Sequence, residues 1–375
     1  MNTTGTNVGA GNNGALPQPL TPTVQDRFVV SPDDPILITG SAGFIGSRVV
    51  KGLSERNFVN LLCFAKPTSK LARIDAVLGD RRGSVKVLTG NLLSRHDCEA
   101  AVKDVAVIYH LAAGTGEKSF PDAFMNSVVT TRNLLEASLK YARLKRFVLV
   151  SSFSVYTNCG KPRGNTLDEN CLTELRPEIR GEAYCFGKVK QEEIVREYGR
   201  KFGIPYVVVR PGSVYGPGAH AIAGRVGIDT FGTFLHIGGP NKIPLTYVDN
   251  CADAIILAGL VKDVEGETFN IVDDDLPSSR QFLRLYKEHV KSFRSFYVPH
   301  SVSYTLCYLW EKYSHWSQGQ LPPAFNRKRW HTYWKKTRYT NRKLKTRLGW
   351  RPKVSTAEGL QRFFQSSRQD GRHDT

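Results

Sequence analysis

The sequence predicts an α/β protein: a doubly wound parallel sheet with a smaller second domain towards the C-terminus. Three observations predict it. Short apolar, β-branched runs alternate with stretches of helical spacing from Ile36 onward. The first run passes directly into a glycine-rich turn. The alternation holds to about Pro211 and then gives way to irregular glycine-rich and aromatic segments. Uniformly apolar strands separated by helices belong to a parallel sheet covered on both faces.

Taken in order, a strand is expected over 36–39, a helix over 44–55, and strands over 60–64, 85–89 and 106–110. A long helix follows over 124–140, then a fifth strand over 147–151, a helix over 184–202 and a sixth strand over 206–210. Residues 1–30 read as a disordered tail, because Gly, Asn, Thr and Pro dominate and large apolar side chains are nearly absent to Thr23. The sheet domain is expected over 31–212, with 244–272 returning to it. A substrate-binding domain is expected over 213–243 and 273–366, and a second tail over 367–375.

With 41% hydrophobic and 23% charged residues, the chain has enough apolar surface for a core, which excludes a disordered chain. No apolar run reaches the ~18–20 residues of a membrane span. No basic start followed by an apolar core marks a secretory signal. The seven cysteines lack CxxC or Cys/His metal spacing, so reduced thiols, a cytoplasmic setting and no metal are expected. The net charge of +18 is unevenly placed, since no Asp or Glu occurs from Lys312 to Ala357 and all tryptophans lie near that end. A basic, aromatic segment suits an anionic partner, and peripheral contact of 297–347 with an anionic membrane is one expectation. No nucleic-acid motif accompanies the charge, so no specific nucleic-acid partner is expected. A homodimer stays open.

The turn reads Thr39-Gly40-Ser41-Ala42-Gly43-Phe44-Ile45-Gly46. Gly40 permits the tight turn, Gly43 lets backbone approach a pyrophosphate, and Gly46 lets helix and strand pack closely. The helix start then offers N–H groups and a partial positive charge to phosphates. Strand before and helix after are the context a Rossmann-type dinucleotide site requires. The strand following that helix ends Cys63-Phe64-Ala65-Lys66 without an acid to hold ribose hydroxyls. Lys66, with Lys70 and Arg73 behind it, suits a 2′-phosphate, so NADP(H) is favoured over NAD(H).

Tyr184 and Lys188 stand four apart in a helical stretch and so share a face. A phenol of pKa ~10 is a poor base at neutral pH. A neighbouring ammonium favours phenolate, which lets Tyr184 exchange a proton with a substrate hydroxyl.

TGSAGFIG resembles the TGxxGFIG fingerprint of the extended short-chain dehydrogenase/reductase superfamily, the epimerase/dehydratase family. The resemblance covers roughly 35–364 and brings further residues with it. Gly40, Ala42, Gly43, Phe44, Ile45 and Gly46 would line the cofactor, as would Asn91 and Leu92 after the third strand. Leu111, Ala112 and Ala113 match the fourth-strand motif, and Pro211, Ser213 and Val214 the RPGxVYGPG segment. Tyr184 and Lys188 would serve both catalysis and cofactor binding, with Lys188 on the nicotinamide ribose. Ser151–Thr157 resembles SSxxVYG, with Thr157 for the last glycine; Ser152 is then the hydroxyl that stabilises developing charge, and Ser154 the alternative. Asp249 lies in a segment resembling VxDva, where a structural role is expected, and 349–352 resembles the closing LGWxP.

Two departures stand out. Sugar 4,6-dehydratases carry an acid pair where this chain has Phe153 and Ser154, which disfavours dehydration. The family's NVxGTxN reads Ser127 to Asn133 here, with Ser127 for the asparagine, Thr130 for the glycine, and Asn126 one step out of register.

The resemblance implies hydride transfer at a hydroxyl or keto carbon. One substrate reading is a nucleotide sugar, with Arg225, Arg280 and Arg327 on its diphosphate. A second follows the 3β-hydroxysteroid dehydrogenase and dihydroflavonol reductase branch, acting on a hydrophobic alcohol or ketone. That branch's aromatic tail resembles 297–316, which as an amphipathic helix suits either a core position or a membrane surface. A non-catalytic NADP-binding sensor is the third.

Overall fold

The computed structural model describes Met1, residues 27–69, 71–114, 119–219, 224–230, 232–318, Gln320 and residues 325–370. Most of the tail expected over 1–30 lies outside the described residues. Its last residues do not behave as a tail: Val29 N–H donates to Leu260 O at 2.8 Å and Val30 is buried.

The central elements follow the expected alternation. They are β1 (Ile36–Thr39), α1 (Phe44–Ser54), β2 (Leu61–Ala65), α2 (Ala72–Leu78), β3 (Val85–Thr89), α3 (Arg95–Val102) and β4 (Val107–His110). Next come α4 (Phe120–Ala123), a π-helical turn (Phe124–Val129), α5 (Thr130–Tyr141), β5 (Arg146–Val150), β6 (Asn165–Leu167), α6 (Pro177–Arg180), α7 (Ala183–Phe202) and β7 (Tyr206–Pro211). After these lie β8 (Ser213–Tyr215), β9 (Gly227–Thr230), β10 (Thr233–His236), β11 (Leu245–Tyr247), α8 (Val248–Leu260) and β12 (Thr268–Ile271). The chain ends with α9 (Ser279–His289), β13 (Ser295–Tyr297), α10 (His300–Trp316), α11 (Arg327–Tyr333), β14 (Thr337–Tyr339), α12 (Arg342–Leu348) and α13 (Thr356–Asp370).

Seven parallel strands form one sheet in the order β12-β7-β5-β4-β1-β2-β3. Alternate residues of one strand enter different cores. Ile36 and Ile38 join one apolar cluster while Leu37 joins the other, and Val107 and Tyr109 oppose Ile108 in the same way. This is why the strands are apolar at every position: both faces are covered, one by α1 and α8, the other by α3, α5 and α7. The strand order reverses between β1 and β4, and ligands of such sheets bind at the carboxyl ends of the strands flanking that switch.

Outside the sheet, β13-β10-β9 form a small mixed sheet, and β8 pairs with β11. A third apolar cluster links Tyr215, Phe234, Tyr247, Phe282 and Phe363. The pairing of β14 with β6 ties the basic C-terminal segment back to the chain between β5 and α7. Trp350 is fully buried and its indole N–H donates to Asn250 O at 3.1 Å, so the segment resembling the closing motif is a packing device. Among the described residues no helix is long and apolar enough to cross a membrane.

Candidate active site

A cleft of about 840 Å³ opens at the switch point, lined from β1, β2, β4, β5, β7 and the start of α7. Its floor is the glycine turn. Gly40 adopts φ +70°, and a Cβ there would stand 2.9 Å from Ala112 N. A Cβ on Gly46 would run into the Gly40 carbonyl, so the turn closes on itself only with glycine at both places. Gly43 is the N-cap of α1, with no side-chain cap and no acid in the first turn. The N–H groups of that turn and its partial positive charge therefore face the cleft without competition from a carboxylate.

Of the expected cofactor residues, Gly40, Ala42, Gly43, Phe44, Ile45, Gly46, Lys66, Leu92, Leu111, Ala112, Ala113, Pro211 and Val214 line the cleft, together with Tyr184, Lys188 and Ser152. Asn91 and Ser213 are not brought there. The Asn91 Oδ1 accepts from Leu93 N–H at 3.0 Å and holds the turn before α3. Ser213 lies between Gly212 and Val214, and strand alternation turns its side chain away while those two face the cleft. Arg73 and Ser69 join the lining beside Lys66. The described lining holds three cations, Lys66, Arg73 and Lys188, and no carboxylate, which suits an anionic ligand.

Helix α7 positions the expected catalytic pair. Tyr184 and Lys188 share its inward face, with the Lys188 Nζ 5.9 Å from the Tyr184 ring centre. Lys188 is buried and its Nζ donates to Val150 O at 2.7 Å, at the end of β5. One turn on, the buried Glu192 accepts from Ser151 Oγ at 2.6 Å and from Arg210 Nε and Nη2 at 2.8 and 2.6 Å. Burial alone would raise the Glu192 carboxyl, but the hydrogen bonds and charge of Arg210 outweigh it and hold the group below the usual carboxylate range. Arg210 also stacks on Tyr156, 4.6 Å from its ring centre. The ends of β5 and β7 are thus pinned to α7 by successive turns of that helix. Ser152 follows directly; its Oγ accepts from Ser154 N–H at 3.1 Å, which leaves the hydroxyl proton to donate towards the cleft. Ser154 is buried outside the lining, so the two serines are not equivalent.

A second buried network holds the end of β4. The Thr39 hydroxyl meets His110 Nδ1 at 2.8 Å, and His110 Nε2 meets Thr131 Oγ1 at 2.9 Å. Thr131 Oγ1 donates to Ser127 O at 2.6 Å, so it must accept from His110. His110 is therefore protonated on Nε2, and in the neutral ring that burial enforces Nδ1 accepts from Thr39. Burial, with the charge of Lys188 added, pushes its pKa down to about 3.

The π-helical turn corrects the register expected for 127–133. A π-turn inserts one residue into a helical face. Asn126 consequently lines the cleft, while Ser127 is buried and its Oγ accepts from Gly114 N–H at 3.2 Å. The carbonyls released by the turn are taken by side chains: Asn126 Nδ2 donates to Asp122 O, Thr130 to Asn126 O, and Thr131 to Ser127 O. The close helix contact that a glycine at 130 would allow comes from the facing helix, where a Cβ on Gly187 would stand 3.1 Å from Ser127 Oγ.

The three arginines expected on a diphosphate have separate partners, and none lines this cleft. Arg225 donates to Thr332 O, Arg327 binds Glu311, and Arg280 stacks on Tyr297. Asp249 sits in an ion pair with Arg48 at 3.6 Å, while Asp273, which the sequence did not single out, accepts from Tyr247 N–H and Asn250.

A glycine turn at the switch point, with a Tyr–Lys helix across the cleft, is the arrangement of the extended short-chain dehydrogenase/reductase type. The chain belongs to the NAD dependent epimerase/dehydratase family, whose model matches residues 36–271. It is 29% identical over 253 residues to an uncharacterized UDP-glucose epimerase of Bacillus subtilis, covering 63% of this chain and 76% of that one. It is 28% identical over 259 residues to a UDP-N-acetyl-alpha-D-glucosaminuronate decarboxylase of Bacillus cytotoxicus, covering 65% and 77%. Among solved structures it is similar to UDP-glucuronic acid 4-epimerase from Bacillus cereus in complex with NAD, with a TM-score of 0.67 and 25% identity over 89% of this chain and 99% of that one.

The Glu192–Arg210 pair and the His110 network escaped sequence reasoning, and Asn126 was read as out of register. Glu192 carried the one available signal, because it continues the Tyr184–Lys188 face at the next i+4 step.

Proposed function

We propose that this enzyme acts by hydride transfer on a nucleotide sugar, oxidising and re-reducing one carbon as an epimerase does or reducing a keto form. The observation that carries the reading is that Tyr184, Lys188 and Ser152 share one cleft with the glycine turn and the uncapped start of α1. The relatives act, by their descriptions, on UDP-sugars. Phe153 and Ser154 are buried apolar and hydroxyl side chains in place of an acid pair, which supports redox-neutral or reductive chemistry over loss of water.

A bound nicotinamide supplies hydride acceptance and return. The first turn of α1 and the backbone of Gly40–Gly46 would hold the pyrophosphate. Tyr184 takes the proton from the substrate hydroxyl, or returns it, through its phenol oxygen. Lys188, fixed by Val150 O, keeps a positive charge beside that phenol and favours its anionic form. The Ser152 hydroxyl donates to the same substrate oxygen and stabilises its charge. Asn126, in the same lining, would be a further contact for the bound ring or the substrate.

For the cofactor we favour NADP(H) over NAD(H). The support is local: β2 ends at Ala65, Lys66 and Arg73 follow in the lining, and no carboxylate is among the described residues of that lining. Residues 213–243 and 273–366 would cover the substrate. The expected contact with an anionic membrane concerns 297–347, whose described residues lie outside the cleft lining.

Purified protein supplied with UDP- or GDP-sugars should convert one of them without net change in cofactor absorbance. A substrate-dependent absorbance change with sterols instead would select a hydrophobic alcohol. Tyr184→Phe should lower turnover by about 10²–10⁴-fold with cofactor affinity kept. Equal activity in that variant overturns the assignment.

A further inference from the structure

Helix α10 turns its large apolar side chains outwards. Val302, Leu306, Leu309, Tyr313 and Trp316 are exposed, Leu306 to 56% and Trp316 to 77%. Their alternating four- and three-residue spacing places them within about 80° of arc on an α-helix. The buried residues Ser303, Cys307 and Ser314 define the other side. That inner side is firmly held. Trp330 Nε1 donates to Ser303 Oγ at 2.9 Å, Tyr304 packs edge-on to Trp330 at 5.0 Å, and Cys307 joins Ile237, Trp330 and Trp334. The stripe is therefore not a core face left open by a loose helix. It is the outer surface of a fixed one, and Phe296 and Tyr297 just before it are exposed as well.

The helix carries one carboxylate, Glu311, and Arg327 binds it at 2.9 Å. Lys312 flanks the stripe and stands 5.8 Å from the Tyr308 ring centre. A helix with Leu, Val and aromatic side chains on one face and a lysine beside it has the chemistry of an interfacial helix, in which Trp and Tyr settle at headgroup depth. A second copy of the chain would fit the spacing but not the charge: two molecules of net charge +18 repel, whereas an anionic surface attracts them. We propose that α10 docks on an anionic lipid membrane, lying in its surface with Val302, Leu306, Leu309, Tyr313 and Trp316 inserted.

The test uses the full chain and vesicles of phosphatidylcholine with or without phosphatidylglycerol, read by flotation and by tryptophan emission. Binding is expected to the anionic vesicles, with a blue shift that Trp316→Phe removes, and should weaken as salt is raised. Leu306→Asp combined with Leu309→Asp should lower partitioning at least about tenfold. Cofactor binding, measured in the same samples, should be unchanged, so a failure here is separable from a failure of the enzymatic reading. Absence of wild-type flotation overturns the proposal, as does flotation that the double variant retains in full. A wild-type dimer by light scattering that the double variant converts to monomer, without lipid binding, assigns the stripe to a second copy and equally overturns it.

Discussion

Two regions of this molecule are rich in cations, and they differ in what surrounds them. In the cleft, Lys66, Arg73 and Lys188 share a described lining without a carboxylate. In the C-terminal run, where the sequence has no Asp or Glu between Lys312 and Ala357, acids arrive from elsewhere in the chain. Lys328 meets Glu174 at 2.8 Å, Arg329 meets Glu182 at 3.2 Å, and Lys345 meets Asp274 at 2.5 Å. Lys343 and Arg347 share Glu267, and Lys335 is buried against the carbonyls of Asn158 and Lys161. A charge run in the sequence is thus a poor guide to a charged surface, because the fold pairs many of its cations with distant acids. The short cluster at the end of β2, which hardly registers in the composition, faces the cleft at the switch point. Attraction of α10 to an anionic surface accordingly rests on the excess charge of the whole molecule and on Lys312, not on the run.

The comparison is broken most severely by removing a carboxylate that is buried rather than one at the surface. Glu192→Gln leaves Arg210 desolvated and uncompensated beside Tyr156, and should cost about 3–5 kcal/mol. A urea midpoint within the error of wild type would show that the pair does not hold β7 to α7. Because Glu192 also fixes Ser151, turnover should fall more than stability alone explains.

Acid titration separates the two regions further. His110 is buried and neutral with its pKa near 3, and burial, with nearby cations, also lowers His236, to about 4. The unfolded chain takes up these protons first, so the stability they contribute is complete above pH ~6.5 and is lost as pH falls below it, by about 1.4 kcal/mol per unit for each imidazole. Asp273 acts in the opposite sense. Burial raises it to about 6 despite its hydrogen bonds from Tyr247 and Asn250, so from pH about 6 down to about 4 the folded state gains from holding that proton. For these three groups the slope of unfolding free energy should therefore level off at about 1.4 kcal/mol per pH unit between pH 6 and 5, half of what the two imidazoles alone would give. A slope near twice that would mean that Asp273 is hydrated in the folded state.

How much of this was legible in the sequence follows from the range of the interactions. The bounds of β1 and β3 agree with expectation to the residue, because both are β-branched runs ended by polar or turn residues. The glycine turn was legible because backbone sterics act within a few residues. The π-turn was not, since Phe124–Val129 keeps helical composition and only the placement of Thr130 and Thr131 on released carbonyls marks it. The register read for Asn126 failed for the same reason. The Thr39–His110–Thr131 chain and the acids that meet the basic run join residues far apart in sequence, and no local pattern announces such partners.

Cofactor choice sharpens the comparison from the other side. Lys66→Asp places a carboxylate just after β2, where the described lining has none. If Lys66 meets a 2′-phosphate, the charge-assisted bond lost should cost NADP(H) about tenfold or more in affinity, and NAD(H) much less. An unchanged ratio of the two dissociation constants would return Lys66 to the status of a solvated loop residue.

The smallest effect is expected where the cations are most numerous. Lys345→Ala removes one partner of a half-exposed pair with Asp274, and such pairs are screened and offset by side-chain entropy, so it should change stability by less than about 1 kcal/mol. Asp274 keeps a hydrogen bond from Asn341 at 2.7 Å, so no bare charge is left behind. A loss comparable to that of Glu192→Gln would mean that the acids meeting the basic run act as a cooperative network fastening α12 to the chain after β12. In that event the long acid-free stretch would be a structural clamp, and its charge would be committed to the fold rather than to any partner.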